Sequence, residues 1–211
     1  MNHETIIILD FGSQYTQLIA RRVREQGVYC EIHPFHLSAE AIMAKRPKGV
    51  ILSGGPSSVT DADAPRVAAD FYDRIDVPIL GICYGMQLVA VDLGGASEPA
   101  ARREYGAATL KVLSGRTALF NELPFELDVW MSHGDHVTKL PGGFTTTATT
   151  GDVITAIEND ERSIYCVQFH PEVSHTPLGK EILRNFVFNV CGCKGDWTPA
   201  QFIKEEIERI R

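Results

Sequence analysis

The fold is decided by the stretch VPILGICYGMQLVAVDL, residues 77–93. Its first six residues form a short apolar run, which is typical of a strand buried on both faces of a parallel sheet. From Tyr84 onward the residues are apolar almost all round a helix, so this helix is expected at the centre of the molecule. A buried strand that turns sharply into a central helix indicates an α/β fold.

Outward from this unit, strand and helix patterns alternate along the chain. Strands are predicted at 6–9, 28–32, 49–52 and 164–169. Helices are predicted from Gly12, over 38–45, up to about Ile75, over 178–190 and from Pro199. Short segments around 104–113, 127–131, 144–149 and 153–158 indicate antiparallel strands. We therefore predict an open, mostly parallel sheet flanked by helices, with a small additional antiparallel β subsheet.

The composition argues against several classes of function. With 27 acidic and 20 basic residues the net charge is −7, whereas a nucleic-acid binder needs a basic face. No run approaches the roughly 18 apolar residues that a membrane span needs, and the first residues lack the features of a signal peptide. The five cysteines favour free thiols in a reducing compartment. We expect a cytoplasmic protein that binds neither nucleic acid nor membrane.

The turn inside residues 77–93 carries a candidate nucleophile. Gly81 and Gly85 stand two residues on either side of Cys83, the thiol counterpart of the G-x-S-x-G elbow. Such a turn is too tight for neighbouring side chains, and the helix start beside the sulfur favours the reactive thiolate. A buried structural cysteine is the alternative. The end of a central strand, where open α/β sheets place their sites, favours the catalytic interpretation.

A second chemical element follows the last predicted strand. Pro171 forces His170 into an extended conformation, and residues i and i+2 of an extended chain point the same way. Glu172 can therefore accept the Nδ1–H of His170 and leave Nε2 to act as a base toward the sulfur. A surface histidine beside a solvated glutamate is the alternative. The two elements together predict a triad of Cys83, His170 and Glu172.

A pair of glycines follows the third strand in SGGPSS, residues 53–58. Paired glycines let backbone N–H groups approach a ligand, and an acyl-transfer site needs such donors for its oxyanion. The N–H of Tyr84 is the expected second donor. An ordinary tight turn is the alternative, and a phosphate loop fits less well because no Gly-Lys-[Ser/Thr] follows.

No metal site is predicted. Cys191 and Cys193 have no matching Cys or His pair at zinc-site spacing. His133 and His136 lie three residues apart, but the sequence offers no third ligand near them.

In this spacing, three motifs resemble the class I, triad-type glutamine amidotransferase domain, which has a flavodoxin-like fold. They are LSGGP (52–56), GICYGMQ (81–87) and VQFHPEV (167–173). The resemblance covers essentially the whole chain. Further stretches are similar to one member of the family: LDFGSQYTQ (9–17), WMSHGD (130–135) and WTP (197–199).

The resemblance implies a role for each matching residue. Cys83 would be the nucleophile, His170 the general base and acid, and Glu172 the group that orients the imidazole. Gly55 and Tyr84 would provide the N–H groups for the oxyanion. The contacts it implies with the substrate, glutamine, are those of Gly54, Ser57 and Gln87, and of a predicted loop that consists of Ser132, His133, Gly134 and Asp135.

The resemblance also implies a partner. Residues 1–195 are expected to form the glutaminase domain, and 196–211 a terminal helix or linker toward a synthetase (ATP pyrophosphatase) domain outside this chain. ATP and Mg²⁺ are expected only in that domain, since residues 53–58 lack the aspartate of its SGGxDS motif, so no cofactor is expected here. The terminal helix has no capping residue, which we interpret as a linker cut from a longer chain.

Three other functions stay open. The chain could serve a different amidotransferase pathway, such as the anthranilate or aminodeoxychorismate type, although the stretches at 9–17 and 130–135 speak against it. A γ-glutamyl peptidase would be distinguished by its turnover of γ-glutamyl peptides. A flavodoxin-like binding module with an inert cysteine would not react with a glutamine-analogue electrophile.

Overall fold

The computed structural model describes residues 3–113 and 117–210. The strands are β1 (Thr5–Asp10), β2 (Tyr29–Pro34), β3 (Gly49–Leu52), β4 (Ile79–Ile82), β5 (Ala96–Val112), β6 (Glu126–Lys139), β7 (Thr145–Thr150), β8 (Val153–Asn159) and β9 (Ile164–Val167). The helices are α1 (Thr16–Arg24), α2 (Ala39–Ala44), α3 (Phe71–Arg74), α4 (Tyr84–Asp92), α5 (Gly179–Arg184) and α6 (Pro199–Ile210). A π-helix (Asn185–Val190) continues α5.

The strands of the described residues form one sheet in the order β2-β1-β3-β4-β9-β8-β7-β5-β6. The first five in this order are parallel, and the last four are antiparallel. The predicted α/β class is confirmed. The antiparallel part is larger than predicted, because β5 and β6 extend far beyond the segments chosen from the sequence, and it continues the parallel sheet edge to edge.

Two apolar clusters cover the faces of the parallel part. Ile6 and Ile8 of β1 belong to the cluster that contains α1 and α5, while Ile7 and Leu9 belong to the cluster that contains α2, α3 and α4. Successive residues of a strand point to opposite faces, so a strand that is apolar throughout needs helices on both sides. The continuous apolar runs of the sequence reflect this arrangement.

Two helices differ from the sequence prediction. α1 begins at Thr16 rather than near Gly12, because Gly12 has φ +90° and the Ser13 hydroxyl oxygen accepts the Tyr15 N–H at 3.0 Å, which holds the residues ahead of the helix in a turn. The helix predicted before β4 is a single turn, and the chain ahead of it is held in a loop by side chains. The Tyr84 hydroxyl donates to the Pro65 carbonyl at 2.6 Å, and Arg66 binds Asp92 at 2.5 Å.

The edge strand β6 curves back over the end of β9. The His170 N–H donates to the Trp130 carbonyl at 3.1 Å, and the Trp130 N–H donates to the Thr176 hydroxyl oxygen at 3.1 Å. That hydroxyl in turn donates to the His170 carbonyl at 2.7 Å. The turn after β9 therefore covers the backbone of this edge, and the next residues of β6 are brought over the carboxyl ends of the parallel strands.

Within the described part of the chain, every helix is too short or too polar to cross a membrane.

Candidate active site

Cys83 lies at the sharp bend between β4 and α4. Its φ of 53° and ψ of −105° are values that a residue with a side chain rarely adopts. The Cys83 N–H donates to the Val167 carbonyl of β9 at 2.8 Å, and the Cys83 carbonyl accepts the N–H groups of Met86 and Gln87. Hydrogen bonds on both sides of the residue thus hold this unusual backbone conformation.

The glycines around the bend leave no room for a side chain. A Cβ at Gly81 would lie 2.8 Å from the carbonyl atoms of Gly85, and a Cβ at Gly85 would lie 2.5 Å from the carbonyl oxygen of Leu52. These are backbone atoms of the bend itself and of the neighbouring strand β3, so they cannot move aside cheaply. The structure therefore has the strand–turn–helix that the sequence predicts, for the predicted steric reason.

His170 and Glu172 reach the cysteine because β9 pairs with β4, which brings the carboxyl ends of these strands together. The Nδ1 of His170 lies 2.7 Å from Oε1 of Glu172. His170 is 4% exposed and Glu172 is fully buried. Because a carboxylate only accepts, Nδ1 is the donor of this bond. The Cys83 side chain is close enough to the ring to raise its pKa, so the three side chains are neighbours.

The surroundings of His170 favour its charged form. Burial lowers its pKa, but the hydrogen bonds to Cys83 and Glu172, together with the charges of both partners, raise the pKa to about 10. A histidine with this pKa is protonated at neutral pH.

The sulfur faces a cavity of about 590 Å³. Most of the predicted site residues line it: Gly55, Ser57, Cys83, Tyr84, Gln87, Ser132, His133, Gly134, Asp135 and His170. The remaining two lie behind its wall. Glu172 is buried behind His170, and a Cβ at Gly54 would lie 3.2 Å from Cε1 of His170 and 3.6 Å from Cβ of Cys83. Gly54 is thus the spacer between nucleophile and base, and its contact with substrate stays a prediction.

The loop predicted at Ser132–Asp135 is in fact part of β6. It pairs with β5 on both sides of an irregularity between Pro99 and Glu104, which no local pattern announces. The Cys83 sulfur lies 3.7 Å from the carbonyl oxygen of Ser132. The Asp135 carbonyl accepts from Nε2 of Gln87 and Nδ1 of His133, each at 2.8 Å. These contacts fix the position of residues 132–135 at the edge of the cavity.

The predicted oxyanion donors lie on adjacent elements. Tyr84 is the first residue of α4, where a backbone N–H has no partner within the helix. A Cβ at Gly55 would lie 2.8 Å from the Phe11 carbonyl oxygen, so only glycine fits. The Ser53 hydroxyl accepts from the Phe11 N–H and donates to the Gly54 carbonyl, which stabilises this loop. The oxyanion roles themselves stay predictions.

Several residues that contact the site were missed from the sequence. The Tyr15 ring meets the His170 ring edge-on at a centroid distance of 5.1 Å, and Nε of Arg22 donates to the Glu172 carbonyl at 3.1 Å. Thr176 holds the His170 main chain, as described for β6. Tyr15 lies in the stretch 9–17 quoted above, but its sequence context does not show that it meets His170. Arg22 and Thr176 lie in no quoted motif, and all three residues act through contacts between segments distant in sequence.

All five cysteines are free thiols. Across residues 3–113 and 117–210, no group of three or more His, Cys, Asp or Glu side chains is placed to hold a metal ion.

A thiol on a strand–turn–helix elbow, contacted by a buried His–Glu pair at the ends of parallel strands, defines a class of hydrolytic site. The chain belongs to the class I glutamine amidotransferase family, whose model matches residues 7–190. The resemblance seen in the sequence motifs is confirmed, and so is the enzyme class, a glutamine amidotransferase.

Within this family the chain is highly similar to one kind of protein. It is 52% identical over its whole length to GMP synthase (glutamine-hydrolyzing) of Alkaliphilus metalliredigens. It is likewise 54% identical to the enzyme of that name from Caldicellulosiruptor saccharolyticus. The chain covers 41% of the length of each of these relatives.

Solved structures agree with the fold. The crystal structure of a Thermoplasma acidophilum protein, described as part of a GMP synthase, matches with a TM-score of 0.82 and 33% identity, over 91% of this chain and 96% of that one. A glutamine amidotransferase from Thermotoga maritima matches with a TM-score of 0.71 over 90% of this chain and 99% of that one. At 18% identity the second match supports the fold alone.

Proposed function

We propose that this chain is the glutaminase part of a glutamine-hydrolysing GMP synthase. It would hydrolyse the side-chain amide of glutamine and supply the ammonia to a synthetase domain that aminates XMP to GMP. The observation that carries the chemistry is that Cys83 and His170 line one cavity, while Nδ1 of His170 lies 2.7 Å from Oε1 of the buried Glu172. The names of the relatives support the choice of pathway.

The first half of the reaction forms a thioester. The Cys83 thiolate attacks the side-chain carbonyl carbon of glutamine, and the N–H groups of Gly55 and Tyr84 stabilise the resulting oxyanion. As the carbon–nitrogen bond breaks, the imidazolium of His170 donates its proton to the departing nitrogen. Ammonia leaves, and a γ-glutamyl thioester remains on the sulfur.

The second half regenerates the enzyme. The neutral imidazole of His170 takes a proton from water, and the resulting hydroxide adds to the thioester carbonyl. The carbon–sulfur bond then breaks, glutamate leaves, and the thiolate again faces an imidazolium. Glu172 holds Nδ1–H throughout, so Nε2 of His170 is directed at the reacting atoms in both halves.

The synthetase partner is supported by length, because the relatives are more than twice as long as this chain. The helix α6 would connect the two parts, and its Ile203 and Ile207 are 58% and 47% exposed. Trp197 is buried against Tyr29, so the packed part reaches slightly past the boundary proposed at residue 195. ATP and Mg²⁺ would bind only in the partner, and the cytoplasmic location also remains a prediction.

The test is to replace the nucleophile. In the presence of the synthetase domain, XMP and ATP, Cys83→Ala should lower glutamine hydrolysis by about 10⁵-fold or more. A diazo-ketone analogue of glutamine should label Cys83 alone in the wild type. Cys30→Ala is the matched control, because burial raises the pKa of that thiol to about 11 and keeps it inert. Wild-type hydrolysis by Cys83→Ala would remove the assignment.

A further inference from the structure

Gln168 is a buried amide that the proposed reaction does not use. Its side chain is fully buried, two residues before His170. Its backbone N–H donates to the Thr155 carbonyl at 2.8 Å, which fixes its place beside β8. Its Oε1 lies 3.2 Å from Nε2 of Gln87. A buried amide is unfavourable unless it is hydrogen-bonded, so this contact with a cavity residue is the feature to explain.

The neighbours of Gln87 decide which way its amide points. Its Nε2 lies 2.8 Å from the main-chain carbonyl oxygen of Asp135, and a carbonyl oxygen can only accept. The atom at this position must therefore be the nitrogen. The same NH₂ group directs its second hydrogen to Gln168. Both hydrogens are used within the protein, so the oxygen is the polar atom that Gln87 retains for the cavity it lines.

Gln168 matters as the second acceptor for the Gln87 NH₂ group because the first acceptor, the Asp135 carbonyl oxygen, is shared. The Asp135 carbonyl also accepts from Nδ1 of His133 at 2.8 Å, so Gln87 and His133 share this acceptor. Without Gln168, one hydrogen of the Gln87 NH₂ group would lose its partner in a buried environment. Rotation of the Gln87 amide that turns this hydrogen toward the cavity would then be favourable, because it avoids the cost of a buried donor without a partner.

We propose that Gln168 is a positioning residue for substrate binding. It holds the Gln87 amide with its oxygen toward the cavity, where this oxygen accepts a hydrogen bond from an N–H group of glutamine. Gln87 lies in the first turn of α4, four residues after Cys83, and lines the same cavity, so its oxygen is close to the reacting end of that cavity. This inference rests on the proposed glutaminase function.

The main variant is Gln168→Met, which is unbranched and similar in volume but lacks the acceptor oxygen. Glutamine hydrolysis is measured with the synthetase domain, XMP and ATP present. We expect KM to rise about tenfold with kcat within about twofold, since one positioned hydrogen bond is lost. Gln168→Asn retracts the amide by one methylene group and should raise KM similarly, which keeps the test valid if the first variant does not fold.

Two further variants separate positioning from a merely structural role. Gln168→Glu keeps an acceptor oxygen in either protonation state, so KM should return to within about threefold of the wild type. Gln26→Met is the matched control, a half-buried glutamine outside the cavity, and should change neither constant. The double variant Gln87→Met with Gln168→Met should have the KM of Gln87→Met alone, because Gln168 acts only through Gln87.

The diazo-ketone analogue identifies which N–H group of glutamine donates to the Gln87 oxygen. It has the α-ammonium group of glutamine but no side-chain amide. Weaker analogue binding by Gln168→Met would identify the ammonium as the donor, and unchanged analogue binding with raised glutamine KM would identify the amide. Unchanged KM in both Gln168→Met and Gln168→Asn, or KM effects that multiply in the double variant, would overturn the inference. Absence of hydrolysis by the wild type would instead refute the proposed function.

Discussion

A methyl group at residue 54 would test whether the spacing between sulfur and imidazole controls the reaction. The backbone of Gly54 lies outside the left-handed region, so alanine is conformationally acceptable there. Its Cβ would lie 3.2 Å from Cε1 of His170, 3.6 Å from Cβ of Cys83 and 3.5 Å from the Ser13 hydroxyl oxygen. The first distance is tighter than an ordinary van der Waals contact, so the imidazole must shift by a few tenths of an ångström.

The size of the effect follows from how His170 is held. Its ring is hydrogen-bonded to Glu172 at 2.7 Å and its main chain to Trp130 at 3.1 Å, so a forced shift misaligns the base instead of being absorbed. A misplacement of about 1 Å costs about 100-fold in rate. For the smaller shift we expect kcat to fall about tenfold. The melting temperature should change by no more than about 2 °C, because the atoms that give way are side-chain atoms.

The assay is glutamine hydrolysis with the synthetase domain present, alongside the rate at which the diazo-ketone labels Cys83. Both rates should fall together in Gly54→Ala. Gly142→Ala is the control, since a Cβ there meets nothing within 4 Å and the backbone is not left-handed. Wild-type rates in Gly54→Ala would refute the argument that this glycine keeps nucleophile and base at a working distance.

Two other substitutions test the elbow and the charge on the base. Gly85→Ala places a Cβ 2.5 Å from the Leu52 carbonyl oxygen, so the free energy of unfolding should fall by about 3 kcal/mol and the melting temperature by about 6–12 °C; an unchanged melting temperature would contradict the steric argument. Glu172→Gln removes a charge that helps raise the pKa of His170 from 6.5 to about 10. A raised histidine pKa adds stability that is complete below pH 6.5 and is lost as the pH rises through about 10. In urea titrations, the difference in the free energy of unfolding between the wild type and Glu172→Gln should therefore shrink as the pH rises from 6.5 to about 10. A difference that does not change with pH would count against this account.

The elbow and the His–Glu pair were predictable because they depend on near neighbours in the sequence. A Gly–x–Cys–x–Gly turn needs small residues within two positions of the cysteine, and the structure shows backbone atoms where their side chains would be. The pairing of His170 with Glu172 was predicted from an extended chain at Pro171; the structure instead has a turn at residues 171–172, which still brings the two side chains together. The alternation of strand and helix patterns was sufficient for the α/β class.

The sequence pattern was insufficient where the outcome depended on how strands pair. The segment at 132–135 was predicted as a loop, but pairing between β5 and β6 extends the strand through it. The helix α1 was placed too early because the turn ahead of it, with Gly12 at φ +90°, is not visible in the apolar periodicity.

By itself, then, the sequence determined the class of fold, the nucleophile and the base that can serve it, since each of these is encoded in short-range sterics and periodicity. Only the tertiary structure decided which distant segments meet: the return of β6 to the turn after β9, the edge-on ring of Tyr15, and the contact between Gln87 and Gln168. Such contacts depend on strand register and sheet curvature, which arise from the packing of the whole chain and leave no local pattern in the sequence.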